Sequence, residues 1–160
     1  MIDRLFPRTI DNSYRGAKAA LWLLGLVAAV KLVMGLNCIV NGRHILSSVD
    51  GIPLATYPAD AAQTVVAMFA IWAWGLFLIS SFAVLTLVRY RSMTSLSFAL
   101  LLLEHAGRKL ILQSIPIARS TTAPAAGINT ALLALMAAGL LLSLWRKGGW
   151  RSEGVHDQAA

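Results

Sequence analysis

Apolar positions along this chain gather into four long runs, at about 17–40, 61–88, 96–117 and 126–145, separated by short polar breaks. A helix needs roughly 20 apolar residues to cross a hydrocarbon core about 30 Å thick, and each run approaches or exceeds that length. The breaks carry turn-forming residues: Asp50-Gly51, Pro53 and Pro58 in the longest, then Pro116 and Pro124. The pattern predicts an all-α, polytopic membrane protein. Its four-transmembrane-helix bundle forms one domain over 1–150, with a disordered tail at 151–160.

Finer expectations follow from residue types within the runs. In the first, Gly25 and Ala29 make a small-xxx-small pair, and Ala28 and Gly35 share a face with Lys31. The second opens on a capping box, Asp60 with Gln63, and holds Trp72 and Trp74 deep enough to suggest core packing. Thr94 or Ser95 is expected to cap the third, which Pro116 stops. Gly127, Ala131, Ala134 and Ala138 form a small-residue stripe on the fourth, expected to pack inward with a Leu-rich face opposite. Loop 41–60 contains Ile45, Leu46, Ile52, Leu54 and Tyr57, too apolar for full solvation, so a fold-back over the bundle mouth is expected. The segment 1–16 places Arg4, Arg8 and Arg15 among apolar residues and suits the headgroup level.

Composition agrees with the run pattern. At 58% hydrophobic, 13% charged and a mean hydropathy of +0.68, the 160-residue chain is too apolar for a soluble domain of its size. The net charge of +7 resembles a nucleic-acid signal only until its placement is examined. Arg4, Arg8, Arg15, Lys18, Arg89, Arg91, Arg146, Lys147 and Arg151 are nine of the fourteen basic residues, and all fall on one predicted side. The opposite loops carry Arg43 and Arg119 alone. By the positive-inside rule both termini are cytoplasmic, as for a multi-pass protein of a bacterial-type inner membrane, and no basic surface remains for nucleic acid.

The unusual chemistry lies in the third run, where Glu104, His105, Arg108 and Lys109 interrupt Leu-rich turns. Ionisable groups at membrane depth are costly and normally face protein or a water-filled cavity. At 1.5 Å per residue, Lys31 and Glu104 both lie about 20 Å from the basic side, and Arg108 and Trp72 both about 25 Å. These six residues therefore collect in the outer half of the bundle, below loop 41–60. With His105 neutral, three cations meet one carboxylate.

Several readings suit this cluster. A Lys31–Glu104 or Glu104–Arg108 ion pair that fixes helix register is one, with Lys109 snorkelling outward. A polar cavity holding an anionic lipid or another acidic amphiphile is a second. Two others are a proton path, which finds no relay in the inner half, and acid–base catalysis by Glu104 and His105. Neighbouring residues on a helix point about 100° apart, so that pair needs other partners to act. No metal is expected, since one His beside one Glu lacks ligand spacing. A bis-His haem is not expected either, because His44 and His105 differ in depth by about 18 Å. Cys38, the single cysteine, forms no intramolecular disulfide.

The functional expectation is a non-enzymatic accessory subunit or binder of an anionic amphiphile, without cofactor. Its partners are membrane lipids and, in addition, a larger membrane complex or a second copy of itself. The alternative is a small membrane enzyme that acts on a lipid-like substrate through Glu104 and His105.

Overall fold

The computed structural model describes residues 5, 7, 10–14, 16–119 and 125–145. Four long helices follow in chain order: α1 (Lys18–Val40), α2 (Ala59–Arg89), α3 (Thr94–Ser114) and α4 (Ala125–Leu144). No strand occurs among the described residues. Much of the headgroup segment 1–16, all of the tail 151–160 and the basic cluster at 146–151 lie outside them.

Each helix boundary has a local cause. Pro58 sits at the α2 N-cap with φ −53°, and its fixed backbone starts the helix at Ala59. That places Asp60 inside the first turn, so the expected capping box does not form and no side chain caps this end. Asp60 instead meets the helix dipole favourably. At α3 a 3₁₀ turn, Arg91–Met93, runs directly into the helix, and Thr94 Oγ1 donates backward to the Arg91 carbonyl at 2.7 Å. Neither Thr94 nor Ser95 caps it. The α3 helix stops at Ser114, because Pro116 drives Ile115 out of helical conformation (φ −124°, ψ 81°).

Three helical segments are long and apolar enough to cross a membrane: Lys18–Val40, Ala59–Arg89 and Gly127–Leu144. The outward faces support that assignment. Trp22, Leu26, Val33, Leu36 and Val40 form an exposed stripe on α1, and Ile71, Trp74, Leu78, Leu85 and Val88 do so on α2. The buried side of α2 is Ala73, Leu76, Ser80, Ala83 and Thr86. Large apolar residues outside and small or hydroxyl residues inside is the arrangement that suits lipid.

One end of the bundle, the base, holds the start of α1, the 89–93 turn and the end of α4. The Ala17 amide donates to the Leu142 carbonyl, and Asp11 and Ser92 bond through backbone and hydroxyl. Above the base, Ala20, Leu24, Val27 and Ala28 of α1 meet Ala83, Phe98, Leu101, Leu132 and Met136 in a core drawn from all four helices.

Two small-residue expectations are corrected here. Ala29 is exposed, and the adjacent Ala28 is buried in its place. On α4 the stripe Gly127, Ala131, Ala134 and Ala138 faces outward, while Leu132, Met136, Gly139 and Ser143 face in. The inward stripe lies about 100° around the helix from the expected one. Phe98 decides the matter: a side chain at Gly139 would overlap its ring, so α4 turns Gly139 toward α3. Trp74 is also corrected, being 54% exposed and stacked on Phe77, not packed in the core.

Loop 41–60 does fold back. Leu46, Ile52 and Leu54 are buried against Tyr57, Val65, Val66 and Phe69, next to a turn in which Gly51 takes a φ of 72° that other residues rarely adopt.

Candidate functional site

At the opposite end from the base, α2, α3, the 41–60 loop, the chain after α3 and the first turns of α4 enclose a cavity of about 920 Å³. Its walls are largely apolar, with Leu46, Ile52, Phe69, Leu103, Leu112 and Ile117 among them. Trp72, Glu104, His105, Arg108 and Lys109 all line it. The sequence-derived grouping therefore meets in one place, with Lys31 directly behind.

Helix α1 presents Lys31 on the same stripe as Ala28 and Gly35, and this stripe is buried. Lys31 itself is only 2% exposed, and its Nζ lies 2.7 Å from Glu104 Oε2. Each partner at that distance offsets the desolvation of the other, and removing either would leave a buried group unpaired. The second Glu104 oxygen, Oε1, is buried without a hydrogen-bond partner and lies 4.0 Å from Arg108 Nε. Glu104 is thus committed to Lys31, and Arg108 contacts it only at the limit of an ion pair.

Arg108 is held from two other sides. Its Nη2 donates to His105 Nδ1 at 3.1 Å, and its guanidinium carbon lies 4.8 Å from the centre of the Trp72 ring. Phe69 supports that ring at 5.3 Å. A nitrogen that accepts from a guanidinium carries no proton, so the remaining His105 proton sits on Nε2 and goes to the Asn129 carbonyl at 2.9 Å. His105 is therefore a neutral strut joining α3 to α4. One Arg108 N–H is used by His105; guanidinium donors remain for an acceptor in the cavity.

The acid–base alternative meets a geometric obstacle. Glu104 points to Lys31, and His105 points to Arg108 and Asn129. Each member of that pair serves a different helix. His44, the other histidine at the mouth, contacts Ser48 in its own loop at 3.4 Å. No group of three or more His, Cys, Asp or Glu suited to a metal ion occurs among the described residues.

Further polar residues line the cavity that sequence reasoning did not place at the site, Asp50, Arg119 and Asn129 among them. Asp50 and Arg119 sit in the two loops predicted for the same side of the membrane, which was a usable signal. Asn129 is a polar interruption early in an apolar run, a weaker one. Burial pushes the Asp50 carboxyl above the usual carboxylate range, opposed first by Arg119 and then by Arg108. Lys109 is exposed at the cavity edge.

Compared with protein-family models, with curated proteins and with solved structures, the chain finds no match in any of the three.

Proposed function

We propose that this protein is a non-enzymatic membrane protein that binds an anionic amphiphile in the cavity at the mouth of its bundle. The single observation that carries the reading is the state of Arg108. It stacks on Trp72 beside an apolar cavity, and among the described residues no carboxylate lies closer to it than the 4.0 Å approach of Glu104. A permanently charged guanidinium at such a site favours a bidentate oxyanion, and the walls of Leu46, Ile52 and Leu112 suit an alkyl chain. Pockets of about 300–1,000 Å³ are the usual size for small-molecule sites, and this one falls within that range.

In this reading α3 is the fourth span. Its 21 residues reach about 31 Å, and its charged face is turned to Lys31 and the cavity while Leu110 faces outward. The asymmetry of basic residues puts both termini in the cytoplasm of a bacterial-type cell and the cavity on the outer side of the inner membrane. The protein acts there as an accessory subunit, alone or in a larger membrane complex or homo-oligomer, with the bound amphiphile as part of its working form.

The test is native mass spectrometry of protein extracted in a mild detergent. Wild type should carry an acidic lipid or amphiphile that Arg108→Gln loses and Arg108→Lys only partly restores. An empty wild-type protein, with Arg108→Gln no less stable, would falsify the reading and leave the charges as a helix-register device. Orientation is read separately with Cys38 replaced: a cysteine at Ser48 should react with impermeant thiol reagents in intact cells, and one at Ser152 should not.

A further inference from the structure

We propose that the headgroup taken by this cavity is a phosphate monoester, a dianion on a single alkyl chain, in preference to a carboxylate, sulfonate or phosphodiester. The inference rests on the anionic-amphiphile reading above and narrows its chemistry. It comes from the charges the structure brings together. Lys31 and Glu104 neutralise each other at 2.7 Å, which removes both from the balance. Among the described residues, Arg108, Lys109 and Arg119 remain on the wall, against Asp50 alone. Three positive charges less one negative leave a surplus of +2, and a monoanion would answer only half of it. The tetrahedral phosphate also offers three oxygens to donors from two separate segments, α3 and the chain after it, where a carboxylate offers two.

Ligand ionisation makes the idea testable, because a phosphate monoester takes on its second charge near pH 6 whereas a sulfonate of equal chain length stays a monoanion. The groups facing the site also titrate, and their effect has the opposite sign. As pH rises, Asp50 gains a negative charge, and neutral His105 gains none. Arg108, Lys109, Arg119 and the Lys31–Glu104 pair also face the site or lie directly behind it. Monoanion binding should therefore weaken or stay level from pH 5 to pH 7.5, and phosphate monoester binding should strengthen.

The experiment measures binding of octyl phosphate, octanesulfonate and inorganic phosphate to the purified full chain in a neutral detergent, at pH 5 and pH 7.5. Octyl phosphate is expected to bind about tenfold more tightly at pH 7.5 than at pH 5, and octanesulfonate no more tightly. Arg119→Gln, at an exposed position that should leave the bundle assembled, should shrink that gain several-fold, and Arg108→Gln should abolish binding. Inorganic phosphate should bind at least tenfold more weakly than octyl phosphate; equal affinity would overturn the amphiphile and leave a free-phosphate site. If octyl phosphate and octanesulfonate bind alike at both pH values and both depend on Arg108, the phosphate-monoester inference fails while the anionic-amphiphile reading stands. If no probe binds wild type, both fail.

Discussion

The two ends of this bundle solve opposite problems. Near the base, Ala20, Leu24, Val27, Ala28, Phe98, Leu101 and Met136 close an apolar core, and the buried Ser97 donates to Thr86 Oγ1 at 2.9 Å. Near the mouth, the same helices enclose an open cavity with charged residues on its wall and an unpartnered carboxylate oxygen beside it. Gly139 lets α4 approach the Phe98 ring near the base, whereas charged side chains line the cavity at the mouth. The contrast teaches where stability and binding reside. Under the proposed function, a site that admits a charged ligand cannot also be the closest-packed part, which assigns rigidity to the base and specificity to the mouth.

The largest test of that division is the ion pair that joins the two. Lys31→Met leaves Glu104 uncompensated, and breaking a buried pair in this way typically costs about 3–5 kcal/mol. Arg108, already 4.0 Å from Glu104, should move to it and recover part of the loss. A cycle of Lys31→Met and Glu104→Gln, read by unfolding in detergent, should give strongly non-additive losses; additive ones would break the coupling between α1 and α3.

Overpacking the base should be felt next. Gly139→Val drives methyl groups into the Phe98 ring and should destabilise by about 1–3 kcal/mol without altering ligand specificity at the mouth. A tolerated valine would mean that the base is as loose as the cavity. A smaller effect is expected from Ser97→Ala, which removes the buried hydroxyl bond to Thr86. Hydrogen bonds between membrane helices average about 0.6 kcal/mol, so the loss should be of that order.

The gentlest test concerns the loop over the cavity. Asp50 has its carboxyl held above the ordinary range mainly by burial, so the folded loop favours the protonated form. The associated stability is present below the unfolded value near pH 4 and is lost as pH rises through the folded one. Hydrogen exchange in residues 45–57, corrected for its intrinsic pH dependence, should show the loop loosening over that interval. Asp50→Asn should remove the trend. An unchanged profile in the variant would show that Asp50 does not govern loop closure.

Much of this site was legible before any tertiary information. Rise per residue put Lys31 level with Glu104, and Trp72 level with Arg108. Both pairs are in contact, at 2.7 Å and 4.8 Å. Depth is a one-dimensional quantity, and a helix converts sequence number into depth by a fixed factor. The cost of charge in an apolar setting likewise required that Lys31 find a partner, whatever the fold. The run pattern determined the four helices to within three residues at each end, and Pro58 and Pro116 account for two of the remaining differences.

Rotation about each helix axis was another matter. Apolar residues surround α1, α2 and α4 on all sides, so periodicity carries little information about which face turns inward. That choice depends on the shape of a neighbour. Phe98 on α3 needs the gap at Gly139, and this sends the alanine stripe of α4 outward and Met136 into the core. Trp74 faces out and Trp72 faces Arg108 because the buried stripe of α2 runs through Ala73 and Leu76. Asp50, Arg119 and Asn129 join the site for the same reason: chain segments far apart in sequence share a cavity wall only once the helices have taken their rotations. The sequence determined depth and the need for charge compensation through the local geometry of a single helix, whereas facing, cavity shape and which charged groups share the cavity wall were decided by contacts between helices.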